Sequence, residues 1–90
     1  MDFEGDPRKA ALNLRKHGIS FQDAATVFED PLAITVHDPD HSEFEDRFVT
    51  IGHTSKGALI VMSHTDRGDS TRIISARGAT RKERRNYEQG

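Results

Sequence analysis

The chain has 90 residues, no cysteine and no tryptophan, with 33% hydrophobic and 31% charged residues and a formal net charge of −2. That length sets one domain over residues 1–90, since domains run from about 50 residues upward, and leaves no room for a cofactor domain beside a substrate domain. The absence of cysteine excludes a disulfide framework, a thiolate zinc site, an iron–sulfur cluster and a cysteine nucleophile. No apolar run nears the roughly 18 residues of a membrane helix, and the first residues carry acids rather than an apolar block, so a small cytoplasmic protein without membrane association is expected. So thin an apolar content leaves the domain at the margin of independent stability, and a partner is expected.

In chain order, Phe3 and Glu4 allow a short extra edge strand. Asp6 as N-cap, Pro7 at the first helical position and Gly18 as C-cap then predict helix one, with Ala10, Ala11 and Leu14 on one face and Lys9, Asn13, Lys16 and His17 on another. Ser20 with Asp23 three residues on resembles a capping box, and Pro31 predicts where this second helix stops. Strands are predicted at 32–36, 47–53, 58–65 and 70–77, the last three as an antiparallel meander across turn-like 54–57 and 66–69. Two-residue alternation in the last strand places Arg72, Ile74 and Ala76 on one side and Ile73, Ser75 and Arg77 on the other. Thr80 and Glu83 form a T-x-x-E box that opens a closing helix at about Arg81–Glu88. The whole reads as one α+β domain: an antiparallel sheet of four to five strands with two N-terminal helices and one C-terminal helix.

Charge is segregated. Residues 21–46 hold eight acids and no Lys or Arg, whereas residues 67–90 hold seven bases, six of them Arg, against three acids. Such a basic third suits a polyanion or an acidic protein, and equally a solvated helix balanced by an acidic loop. His37-Asp-Pro-Asp-His41 looks superficially like a metal cluster, but it sits in a loop without helical i, i+4 spacing and is read as a solvated turn; no metal or cofactor is expected. His17, at the end of helix one beside Lys16, is equally a cation favoured by the helix dipole and a titratable group suited to acid–base work. Arg72 and Arg77, inside an otherwise apolar strand, each need a partner: an acid of the fold, or a ligand phosphate. Arg47, after Glu45, raises the same question.

The residues Phe3-Glu4-x-Asp6-Pro7, Lys9, Asn13, Lys16-His-Gly-Ile-Ser-Phe21, Glu45-x-Arg47, Arg72-Ile-Ile-Ser-Ala-Arg77, Glu83-Arg84 and Tyr87-Glu88 resemble the BrnT family of bacterial type II toxins, in the RelE/ParE-like superfamily. The resemblance spans nearly the whole chain and departs from the family at Gly5, where the family usually has Trp. It implies a RelE-like fold and a translation-inhibiting ribonuclease toxin. It also implies a BrnA-like antitoxin in a 2:2 heterotetramer that represses its own operon through operator DNA. The alternatives are a ParE-like gyrase poison and a catalytically inert module kept for antitoxin binding.

Under that resemblance, metal-independent cleavage by 2′-OH attack needs a base, an acid and cations around the phosphorane. The candidate catalytic residues are Arg77 and Arg72 as phosphate clamp, Arg47 in support, Lys16 as a point charge, and His17 and Glu45 as acid or base, with His53 and His64 in reserve. Arg81, Arg84, Tyr87 and Lys9 are candidate RNA-binding residues. Arg77 is favoured as the catalytic cation because it ends its strand beside the start of the last helix, against the alternative of a scaffold salt bridge to Glu83.

Overall fold

Asp6 leaves the first strand in extended conformation, and its Oδ1 accepts from the Arg8 amide at 2.8 Å, so a helix starts at Pro7. Gly18, at φ 71°, ends it in the left-handed region. The computed structural model describes residues 3–42 and 44–89; Glu43 of the acidic loop lies outside them. The elements are β1 (Phe3–Glu4), α1 (Pro7–His17), α2 (Phe21–Ala25) with a 3₁₀ turn at Thr26–Glu29, β2 (Ile34–His37), a 3₁₀ turn at Pro39–His41, β3 (Arg47–His53), β4 (Leu59–Arg67), β5 (Ser70–Gly78) and α3 (Arg81–Gln89).

The expected second helix is shorter than its sequence limits. Ser20 Oγ caps it by accepting from the Asp23 amide at 3.0 Å, but Thr26 Oγ1 donates to the Asp23 carbonyl at 2.6 Å, a local bond that competes with the helical ladder. The chain tightens into the 3₁₀ turn and drives Val27 fully into the core.

The sheet has the order β1-β5-β4-β3-β2. The meander is antiparallel as expected, but β1 pairs parallel to β5, Phe3 opposite Thr71 and Glu4 opposite Arg72, so the sheet is mixed. A hairpin forces antiparallel pairing; β1 reaches β5 only through the rest of the chain, and its direction is the one that delivers α1 onto the sheet. One face carries α1 and α2, with Phe21, Ala24 and Val27 packed on Ile60, Met62, Ile73 and Ala76.

The alternation expected in β5 is broken. Ser63 pairs with Ser75 but His64 pairs with Ile73, so Ile74 is an extra residue with no partner on β4, a β-bulge. Beyond it the sides exchange: Ile73 and Ala76, three apart, are both fully buried on the helix face. Arg72 pairs with Thr65 and Arg77 with Val61, two β4 residues on one face. The two arginines therefore share a face rather than opposing each other. Asn13, buried on α1, seals the irregularity: its Oδ1 accepts from the Ala76 amide at 3.0 Å and its Nδ2 donates to the Ile19 carbonyl at 2.9 Å.

Gly5 has a packing account. A Cβ there lies 2.6 Å from Cδ2 of the buried Phe21 ring, which occupies the space beside β1. Gly5→Ala is expected to destabilise the fold by about 1–3 kcal/mol, because the ring is held by core neighbours; the urea midpoint measures it, and an unchanged midpoint shows that the ring yields freely.

His64, read from sequence as lying near a strand end, points from mid-β4 into the core. It sits between Phe28, edge-on at 5.0 Å, and Phe48, stacked at 6.0 Å, with Nε2 2.7 Å from Thr50 Oγ1, which in turn lies 2.7 Å from Thr35 Oγ1. Nδ1 has no partner among the described residues, and burial holds the imidazole neutral to lower pH than usual against a smaller opposing pull from Asp66. The unfolded chain protonates this residue near pH 6.5, ahead of the folded chain, so stability falls as pH drops below about 6.5. Thermal melts from pH 7.5 to 5 are expected to show that loss, and His64→Phe to flatten it.

Candidate functional site

The sheet face away from α1 and α2 carries the candidate arginines Arg47, Arg72 and Arg77. Following the registers, Glu4 lies opposite Arg72, Arg72 opposite Thr65, and Thr65 opposite Arg47: one cross-strand row over β1, β5, β4 and β3. Adjacent strands are about 4.8 Å apart, so the Arg47 and Arg72 backbones flank Thr65 at roughly twice that spacing. Thr65 is buried and donates Oγ1 to the Asp46 carbonyl at 2.6 Å, tying the start of β3 to the row.

Arg67, two residues along β4, joins the row. Its Nε is 3.9 Å from Glu4 Oε1 and its Nη2 is 3.5 Å from Glu45 Oε2, while Arg72 Nη1 is 3.8 Å from the same Glu4 oxygen. These pairs are long and partly exposed, so each contributes little to stability. The guanidiniums of Arg67 and Arg72 thus meet the carboxylates of Glu4 and Glu45 at one end of the face, with Arg47 in register beside them across Thr65. Arg47 lines a cavity of about 380 Å³ together with Asp40, His41, Phe44 and Glu45. The sequence by itself does not single out Arg67 and Glu4 as members of this cluster; Arg67 counts there only toward the basic third. The signal that finds them is the strand register, which no local motif carries.

Arg77, on the same face, stands at the other end. Its Nη1 and Nη2 donate to Glu83 Oε1 and Oε2 at 2.7 and 2.9 Å, and its Nη1 also reaches the Gly78 carbonyl at 3.2 Å. Glu83 completes the expected capping box: Thr80 N–H donates to Glu83 Oε1 at 2.9 Å and Glu83 N–H to Thr80 Oγ1 at 3.1 Å. The Arg77 fork, with the Thr80 amide, pushes the pKa of the Glu83 carboxyl down to about 2. The structure thus places Arg77 in the fork–fork pair that anchors α3.

α3 lies over this end of the face through two side chains four apart, Glu83 and Tyr87. The Tyr87 hydroxyl donates to the Leu32 carbonyl at 3.2 Å and its ring meets His53 at 5.7 Å, so the ring is already engaged within the fold. His53 also lies 3.8 Å from Asp30, held between the helix layer and α3. Arg81 and Arg84 line a shallow groove on the outer side of α3. Lys9, Lys16 and His17 border a groove along the outer edge of β5, floored by Leu12 and Ile74, which shares no residue with the Arg47 cavity. The structure brings Arg47, Arg72 and Glu45 to one end of the open face; it does not bring Lys16, His17 or Arg77 into that cluster.

In the acidic loop, His41 pairs with Asp38 at 2.8 Å and His37 with Asp46 at 3.2 Å. Among the described residues no three His, Asp or Glu side chains converge as a metal centre requires. Among the described residues no helix is long and apolar enough to cross a membrane.

The sequence profile of the family described as "Ribonuclease toxin, BrnT, of type II toxin-antitoxin system" matches residues 6–83. No curated protein sequence matches the chain. Among solved structures, the 1.1 Å crystal structure of the Brucella abortus ribonuclease toxin BrnT aligns with a TM-score of 0.66 at 23% identity, over 90% of this chain and 99% of that one; at that identity the likeness establishes the fold. With a five-stranded mixed sheet and three helices shared with that structure, and a family profile that runs from the N-cap of α1 into α3, the chain belongs to the BrnT ribonuclease toxins of type II toxin–antitoxin systems.

Proposed function

We propose that the chain is a metal-independent endoribonuclease whose reacting phosphate sits on the row Glu4–Arg72–Thr65–Arg47. The observation that supports this is the register that sets Arg47 and Arg72 on either side of Thr65 on the open face, where Arg72 and Arg67 are held only by long pairs to Glu4 and Glu45. Arg72 and Arg47 grip the non-bridging oxygens and stabilise the charge that builds on the phosphorane. Glu45, released from Arg67, takes the proton of the 2′-hydroxyl. The 2′-oxygen attacks phosphorus and the 5′-oxygen departs, protonated from solvent, leaving a 2′,3′-cyclic phosphate and a 5′-hydroxyl. Lys9, Lys16 and His17 on α1, with Arg81 and Arg84 on α3, hold flanking RNA by charge. Arg77 works through Glu83 by holding α3 in place.

The same reading includes a BrnA-like antitoxin as partner, two copies with two toxins, that covers the basic β5–α3 surface, neutralises the toxin and carries it to operator DNA in the cytoplasm. Exposed Leu32, Ile34 and Val36 at the β2 edge add apolar area for such a partner. The fold fits the RelE-like kind, two N-terminal helices on one face and a closing helix on the other.

The test is end-labelled RNA incubated with purified protein in EDTA. Cleavage to 2′,3′-cyclic phosphate ends is expected. Activity lost to chelation and restored by Mg²⁺ overturns the metal-free mechanism, and intact RNA in both conditions overturns the nuclease reading. A melting temperature that does not rise with saturating antitoxin counts against the partner.

A further inference from the structure

All but one of the aromatic residues of the fold are accounted for: Phe21 in the core with Phe3 packed against it, Phe28 and Phe48 around His64, Tyr87 docked on His53. Phe44 is the exception. Its ring is 98% exposed, three residues before Arg47, in the cavity that Arg47, Asp40, His41 and Glu45 complete. Water gains nothing from a bare phenyl ring, whereas a nucleobase stacks on one, and exposed aromatics beside cations are how single strands are held.

The charges around the ring restrict how a strand lies there. Asp38, Asp40, Glu45 and Asp46 give the loop a negative field that repels phosphate, while Arg47 and Arg72 attract it. A nucleotide therefore satisfies both by keeping its phosphate on the arginine row and turning its base toward the loop. There the exposed Asp40 carboxylate offers acceptors only. Guanine is the base whose edge presents two adjacent donors, N1–H and the N2 amino group, to a carboxylate. Adenine and cytosine present one amino group beside an acceptor, and uracil one N–H between two acceptors.

We propose that Phe44 and Asp40 form a nucleobase subsite beside the scissile phosphate, with Phe44 stacking the base and Asp40 selecting guanine. The proposal rests on the ribonuclease reading and adds its specificity. A protein partner seating an apolar side chain on Phe44 is the competing occupant; Arg47 in the same cavity and its register on the arginine row favour the nucleotide.

The experiment uses the full chain and nine-residue oligouridylates carrying one central guanosine, adenosine, cytidine or inosine, with cleavage rates measured over substrate concentration. The guanosine oligomer is expected to be cut about tenfold faster than the others, inosine included, since it lacks the N2 amino group. Asp40→Asn is expected to abolish the guanosine–inosine difference. Phe44→Ala is expected to raise KM about tenfold with little change in kcat, and Phe44→Trp to restore it. Both are exposed positions, and a melting curve checks the fold of each variant. Phe44→Ala with unaltered cleavage and base preference overturns the subsite and leaves the nuclease standing. If that variant instead loses capture of the antitoxin alone, the ring is a protein contact and the proposal also fails. RNA left intact by the unaltered chain overturns both readings together.

Discussion

Arg72→Lys is expected to lower RNA cleavage by about 100- to 1,000-fold while the melting temperature stays within a degree or two. Lysine keeps the positive charge but loses the planar fork that meets two phosphate oxygens at once, and removal of one well-placed transition-state donor costs a factor of that order. The fold loses little, because Arg72's contact with Glu4 is a 3.8 Å half-exposed pair. Arg47→Lys, at the other end of the row, is expected to act in the same direction. Arg77→Lys is the contrasting variant. It breaks the two bonds to Glu83 that hold α3, so it is expected to lower the melting temperature by a few degrees with a smaller loss of cleavage. The three variants measured side by side separate the assignments. Unaltered cleavage by Arg72→Lys and Arg47→Lys moves the chemistry away from the row, and a drop confined to Arg77→Lys, at full stability, places the clamp at α3.

The largest effect on stability is expected at Asn13. This buried side chain is not part of any regular ladder, yet it satisfies two backbone groups: the Ala76 amide beside the β5 bulge and the Ile19 carbonyl at the turn between helices. Asn13→Ala leaves both unpaired and a gap between α1 and the sheet, at a cost of about 2–4 kcal/mol. For a domain whose whole stability is about 5–15 kcal/mol, that is a large fraction. Urea denaturation measures the loss, and amide exchange at Ala76 locates it. A fast-exchanging Ala76 amide in the variant is expected; protection equal to that of the unaltered chain shows that water or another acceptor replaces the side chain.

Much of this fold is legible residue by residue. Asp6-Pro7 and Gly18 delimit α1, Ser20 caps α2, Thr80 and Glu83 cap α3, and the meander of β3, β4 and β5 falls within two residues of its sequence limits. These features depend on neighbours a few positions apart, and a capping bond or a turn forms wherever its short motif occurs. The family, too, was legible, from "KHGISF" and "RIISAR" held in order along the chain. The parallel β1, the bulge at Ile74 and the ends of the arginine row were not. Each depends on which residue of a distant strand stands opposite, and one unpaired residue in β5 reverses the side on which every later side chain lies. Arg77 shows the consequence: local alternation separates it from Arg72, while the register sets both on one face, with Glu83 filling the fork of one and only a distant Glu4 beside the other. Sequence alone thus determined the elements, the family and the kinds of side chain available for the chemistry. Tertiary pairing decided which arginine anchors a helix and which is left with one distant carboxylate, because that choice is made by partners far away in the chain.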